Sequence, residues 1–247
     1  MTWGIKLVGA CLLAALAVAG RVPAQEVRVT GRLILEGEKP RVASRSPAGG
    51  VVWLTPLSDS TAPKEASNLS ATARHLRLVQ EHKQFEPHVL VVPLGSLVEF
   101  PNRDPLFHNV FSLFNGKRFD LGLYEAGTTR TVRFDRPGVC YIFCNIHPEM
   151  SAVVVVLDTP YYAVANTAGE IAIPNVPPGR YTLRVFHERC LPESLSALTR
   201  EVTISSDGDS LGTLRLVEGG DLGLTHKNKY GRDYDPPAPR SPLYQQP

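Results

Sequence analysis

Val139-Cys140-Tyr141-Ile142-Phe143-Cys144-Asn145-Ile146-His147-Pro148-Glu149-Met150-Ser151-Ala152-Val153 is the stretch from which the rest of the chain is read. Apolar residues run up to Cys144 and resume at Ala152, so one strand enters the segment and another leaves it. Between them a short loop carries a thiol, an imidazole and a thioether: Cys144, His147 and Met150. Side chains alternate across a strand, which puts Cys140, Ile142 and Cys144 on one face and Tyr141 and Phe143 on the other. With Ile142 turned to a core, Cys144 arrives at the inner end of a sheet. The loop returns His147 after two intervening residues and Met150 after two more.

Cys, His and Met form a soft donor set, and such a set calls for a second imidazole from a separate strand. His108, in Leu106-Phe107-His108-Asn109-Val110-Phe111, is the candidate. Two His, one Cys and a weak axial Met are the ligands of a blue-copper electron-transfer site, which holds one ion cycling between cuprous and cupric states. Zinc accepts two His and a Cys but takes Met poorly. A core cysteine with spectator His and Met is the plain alternative. Cys140 lies four residues before Cys144 in the same strand, about 13 Å away along its axis. That is too far for two thiolates to bridge a copper pair, so one ion is expected. His75, His82 and His88 fall on polar or turn segments, His187 ends a strand, and His226 lies in a polar tail with at most an accessory metal contact.

Strands recur on both sides of this stretch. Glu26 to Leu35 and Val51 to Leu54 precede a Ser/Thr/Ala-rich connection over 58–72. Then come His75 to Val79, Val89 to Val92, Leu97 to Phe100, Asn109 to Phe114, Thr129 to Phe134 and Val139 to Phe143, then Ala152 to Leu157. Phe119 to Tyr124 reads as a connection near the site. After Pro160 follow Ile171 to Ile173, Tyr181 to Phe186, Val202 to Ile204 and Thr213 to Leu216. Strong helix signals are missing, and many short strands punctuated by Gly and Pro predict an all-β sandwich. The first strand pair and the strands after 158 each lack partners. Pairing them with each other makes one outer sandwich from 26–57 and 158–218, with 74–157 inserted in one of its loops.

The chain of 247 residues opens with Lys6, an apolar run from Leu7 to Gly20, and Val22-Pro23-Ala24. This predicts a secretory signal peptide over 1–24 and a periplasmic or secreted protein. Cys11 comes too early in the run for a lipoprotein signal. About 220 residues would remain, enough for one large or two small domains. No further apolar run is long enough to span a membrane. A net charge of +2 gives no pointer to nucleic acid. Three cysteines outside the leader are too few, and odd in number, for a disulfide framework. Residues 219–247 are polar and proline-rich, which reads as an extended or disordered, flexible tail.

Residues 74–157 resemble a cupredoxin of the plastocyanin and amicyanin kind, a Greek-key β-sandwich. The matching residues are Phe85-x-Pro87, Val91, Gly95, Val98-x-Phe100-x-Asn102, His108-Asn109, Gly138 and the C-x-x-H-x-x-M spacing with Pro148 after the His. The resemblance implies copper held by His108, Cys144, His147 and Met150. It also implies that Asn109 hydrogen-bonds the ligand loop and holds Cys144 in place. The flanking parts resemble the transthyretin-like fold of carboxypeptidase regulatory domains, on Thr167-x-Gly169-x-Ile171 and Pro178-Gly179-Arg180-Tyr181-x-Leu183. The expectation is a one-electron carrier, not an enzyme, with an unidentified redox protein as partner and the edge of His147 as the electron's exit. No Ser-His-Asp order or phosphate loop speaks for an enzyme. A copper carrier or sensor without a redox partner, and a non-metal binding module, are the alternatives.

Overall fold

Alternation across a pleated strand sorts the run from Ser151 to Leu157 onto two faces, and both faces are buried. Ala152, Val154 and Val156 enter one apolar cluster while Val153, Val155 and Leu157 enter another. A continuous valine run is what such a strand needs, since neither face meets water. The structure is a computed structural model that describes residues 26–37, 46–57, 76–113, 117–219 and 226–234. The expected leader over 1–24, the whole 58–72 connection, His75, Phe114 and residues 220–225 and 235–247 of the tail lie outside the described residues.

In chain order the strands begin with β1 (Val27–Glu36), β2 (Val51–Pro56), β3 (Leu76–Arg77), β4 (Val79–Glu81), β5 (Gln84–Glu86) and β6 (Val89–Pro93). Next come β7 (Ser96–Pro101), β8 (His108–Ser112), β9 (Phe119–Tyr124), β10 (Thr129–Phe134), β11 (Gly138–Phe143) and β12 (Ser151–Leu157). Then follow β13 (Tyr162–Val164), β14 (Glu170–Val176), β15 (Gly179–Phe186), the short helix α1 (Pro192–Ala197), β16 (Arg200–Ile204) and β17 (Asp209–Val217). The fold is all-β. Among the described residues no helix is long and apolar enough to cross a membrane.

Three apolar clusters separate four sheets. The sheets β10-β7-β3 and β6-β12-β11-β8-β9 enclose the first cluster, which includes Phe100, Phe134, Ile142 and Val154. The outer face of the five-stranded sheet meets β13-β2-β15-β16 through Val51, Val91, Val153, Val155, Leu157 and Phe186. On the far side of that four-stranded sheet, β14-β1-β17 covers Leu33, Leu54, Ile173, Tyr181 and Leu214. The two ends of the chain therefore share sheets: β1 lies between β14 and β17, and β2 between β13 and β15. The turn before β14 requires glycine, because a Cβ on Gly169, at φ 78°, would fall 2.1 Å from the Leu33 carbonyl oxygen.

Two readings are corrected here. Phe119 to Tyr124 is a strand, not a connection. It pairs with β8, with His108 opposite Tyr124 and a register shift between Asn109 and Phe111. Part of the tail is also ordered, for residues 226–234 fold against the loop after β11. Cys140, Cys144 and Cys190 are all buried and unbridged.

Candidate metal centre

β11 and β12 form an antiparallel pair in which Ile142 faces Ala152 and Phe143 faces Ser151. The loop from Cys144 to Met150 closes that pair. Two backbone bonds hold it: Met150 N–H donates to the His147 carbonyl at 3.0 Å, and Cys144 N–H to the Met150 carbonyl at 3.2 Å. Ile142, on β11 two residues before Cys144, is fully buried. Burying it contributes roughly 2 kcal/mol and fixes the strand end from which Cys144 projects.

β8 lies beside β11, with Phe111 opposite Phe143, and presents His108 to the same end of the sandwich. The ligating atoms of His108, Cys144 and His147 all fall within 4.8 Å of one another. The two Nδ1 atoms are 3.0 Å apart. Cys144 Sγ lies 3.8 Å from His108 Nδ1 and 3.5 Å from His147 Nδ1. Met150 is wholly buried at the end of the loop, in the same apolar cluster as Cys144. Among the described residues this is the one cluster of three His, Cys or acidic groups able to hold a metal ion.

The surroundings prepare these atoms for a cation. His108 Nε2 lies 2.8 Å from the buried Asp104 carboxylate. A carboxylate accepts only, so Nε2 carries the proton and Nδ1 keeps its lone pair toward the site. Burial would raise the Asp104 carboxyl, but donation from Lys83 N–H, His108 and His82 N–H outweighs it and holds the group below the usual range. Burial also lowers His108 and His147, the latter to about 4 with help from His108 beside it. Both rings are therefore neutral near pH 7, as ligands must be. Burial pushes the Cys144 thiol up, and the backbone N–H groups of Asn109, Ile146 and His147 work against that. Two imidazole nitrogens facing each other beside a sulfur ringed by N–H donors form a site that a soft cation fits.

Asp104 carries a second duty. β4 and β5 are joined by His82 and Lys83, both in the left-handed region at φ 55° and 54°. Their two N–H groups donate to the Asp104 carboxylate at 2.7 and 2.9 Å. Such a turn favours Asn and Gly, so two bulkier residues there are strained. The sequence reading passed over Asp104. Its position four residues before His108 is the only local signal, and in a loop that spacing alone fixes no direction.

The structure places Asn109 differently from the expectation. Its side-chain amide donates to Asp120 at 2.7 Å and to the Gly122 carbonyl at 2.9 Å, both on β9 and not on the ligand loop. Its backbone N–H, not its side chain, faces the Cys144 sulfur. The edge of His147 also departs from expectation. The residue is 4% exposed and its outer nitrogen is buried, while Ile146, Pro148 and Glu149 around it are exposed. His88 is not simply solvated, for it bonds Glu188 at 2.7 Å and the Ser151 carbonyl at 3.1 Å. His226 touches the site's loop, stacking on Phe143 with centroids 4.0 Å apart.

No protein-family model matches the chain, and nothing among curated proteins matches it. Among solved structures it is similar to a copper-containing nitrite reductase (NirK) from Thermus scotoductus SA-01, at 24% identity and a TM-score of 0.33, over 34% of this chain. It spans only 22% of that nitrite reductase. A purple cupredoxin from Nitrosopumilus maritimus matches 33% of this chain and 99% of its own, at 24% identity and a TM-score of 0.30. A reduced amicyanin variant matches 43% of this chain and 98% of its own, at 20% identity and a TM-score of 0.33.

Proposed function

We propose that this chain is a type 1 copper protein working as a one-electron carrier outside the cytoplasm, and not an enzyme. The observation that carries the reading is the buried convergence of His108 Nδ1, His147 Nδ1 and Cys144 Sγ at the end of a β-sandwich. Copper would be held by these three atoms, with Met150 as the weak fourth ligand, and would supply reversible one-electron chemistry when bound. Asp104 keeps His108 in the ligating tautomer, and the Asn109, Ile146 and His147 N–H groups stabilise the thiolate. Strands supply His108 and Cys144, so the protein limits how far the donors move between redox states. The location is supported by the leader-like residues 1–24. The same reading treats 26–57 with 158–218 as one transthyretin-like sandwich around a cupredoxin-like 74–157, which the shared sheets of β1 and β2 support.

Loading the mature chain with cupric ion tests this. One copper per chain and an intense visible thiolate-to-copper band are expected, and Cys144→Ser should abolish the band. A colourless copper-bound protein overturns the proposal. A second reading, copper handling without a redox partner, is favoured by the burial of His147, which withdraws its ring edge from the surface. Electron self-exchange separates the two: it is fast for a carrier, slow for a handling protein.

A further inference from the structure

The ligand loop has outward-facing polar groups on both sides of His147, and residues 226–234 engage them. Tyr234 O–H donates to the Cys144 carbonyl at 2.7 Å and lies 3.2 Å from His226 Nδ1. His226 Nε2–H donates to the Pro148 carbonyl at 2.8 Å, and its ring lies over Phe143 at 23° between planes. Lys229 N–H donates to the Asn145 side-chain oxygen at 2.9 Å. The segment is held in shape by Asn228, whose side-chain oxygen accepts from the Tyr230 and Arg232 N–H groups, while Gly231 N–H returns to its carbonyl.

A second connection reaches the site from the other side. Lys229 Nζ lies 2.8 Å from Asp120. Asp120 also accepts from the Asn109 amide, and the Asn109 backbone N–H faces the Cys144 sulfur. One short segment, distant in sequence, thus bears on residues before, within and opposite the ligand loop. Its contact with a buried apolar side chain is the His226 ring on Phe143, and its other contacts named here are polar, so its contribution to global stability is small beside its effect on the loop.

The geometry points to residues 226–234 as a strap that fixes the ligand loop, with Tyr234 and His226 as positioning residues for Cys144 and His147. The metal half of this inference rests on the copper reading above. The strap sets how firmly the donors hold their places, and hence how readily copper leaves.

The test uses the full-length chain with Tyr234→Phe, His226→Ala, His226→Phe and Arg232→Ala. Hydrogen exchange of the amides at 145–150 is followed in metal-free protein, and copper loss to a chelator and the visible spectrum in loaded protein. Losing one hydrogen bond in Tyr234→Phe, and a hydrogen bond together with the ring stack in His226→Ala, should speed both exchange and copper loss about fivefold or more. His226→Phe keeps the stack on Phe143 and should recover part of the loss. Arg232 is exposed and, among the described residues, makes no side-chain bond to the loop, so Arg232→Ala should match the parent. The charge-transfer band should shift in the first two variants while the midpoint of global unfolding stays within error. Parental exchange and copper loss in a Tyr234→Phe/His226→Ala double variant would overturn the strap and leave the copper reading standing. A parent chain that takes up no copper, with exchange still responding to the variants, would overturn the copper reading and leave the strap standing.

Discussion

Replacing Asp104 by Asn isolates the control of a single proton. The carboxylate is 6% exposed and accepts from His108 Nε2 and from the N–H groups of His82 and Lys83. All three partners are donors. An asparagine offers one accepting oxygen and one donating nitrogen. If its oxygen takes the place of Oδ2, it still accepts from His108 and Lys83 while its NH2 meets the His82 N–H; if it turns over, its NH2 meets both the His108 Nε2–H and the Lys83 N–H. The second arrangement is relieved only when His108 moves its proton to Nδ1, which takes the lone pair out of the metal site. Losing the partner that orients a metal-bound imidazole costs about 10–100-fold in metal affinity. Three bonds to a buried charged acceptor, at roughly 1.5 kcal/mol each, put Asp104→Ala at about 4.5 kcal/mol of stability and Asp104→Asn near half of that. Chelator competition at neutral pH measures the first quantity and urea unfolding of the metal-free chain the second. Copper affinity of Asp104→Asn equal to that of the parent would refute the tautomer argument, and a change of stability below about 0.5 kcal/mol in Asp104→Ala would refute the turn argument.

Copper binding at pH 7 should release one proton per ion, because Cys144 is held as a thiol while both imidazoles are already neutral; calorimetry in buffers of different ionisation enthalpy counts it. His147 titrates at 6.5 when exposed and at about 4 in the fold, so between these values the unfolded chain binds the proton that the folded chain resists. The metal-free protein should therefore hold its full stability above about pH 6.5 and lose about 3 kcal/mol as the pH falls toward 4, read as a falling urea midpoint that His147→Gln flattens. Ile142→Ala should cost about 3 kcal/mol, measured by urea unfolding, since the side chain is fully buried beneath Cys144.

What the sequence disclosed depended on whether the signal was periodic. Alternation through Val139 to Phe143 placed Cys140, Ile142 and Cys144 together, and the short return to His147 and Met150 needed only loop length. Joining His108 to them required no more than a second strand. Asp104 could not be seen this way, because its partners His82 and Lys83 lie on a turn more than twenty positions upstream. Phe119 to Tyr124 was missed because Asp120 and Gly122 interrupt its apolar pattern; both serve the local turn of the backbone, where Gly122 has φ 69° and donates its N–H to Asp120. The tail was misread because its attachments are hydrogen bonds to loop carbonyls and an amide. Such bonds leave no hydrophobic trace in composition. Asn109 kept its place beside the first imidazole, but its side chain answers to Asp120, a neighbour created by the unforeseen strand.

The sheet that carries His108 and leads into Cys144 is covered on its far side by Val51 and Phe186 from strands at opposite ends of the chain. A fragment trimmed to 74–157 would bare Val91, Val153, Val155 and Leu157 as one continuous greasy wall. Such a minimal version would clump before it could be put to use, so any engineered miniature of this protein must first repaint that wall with polar residues.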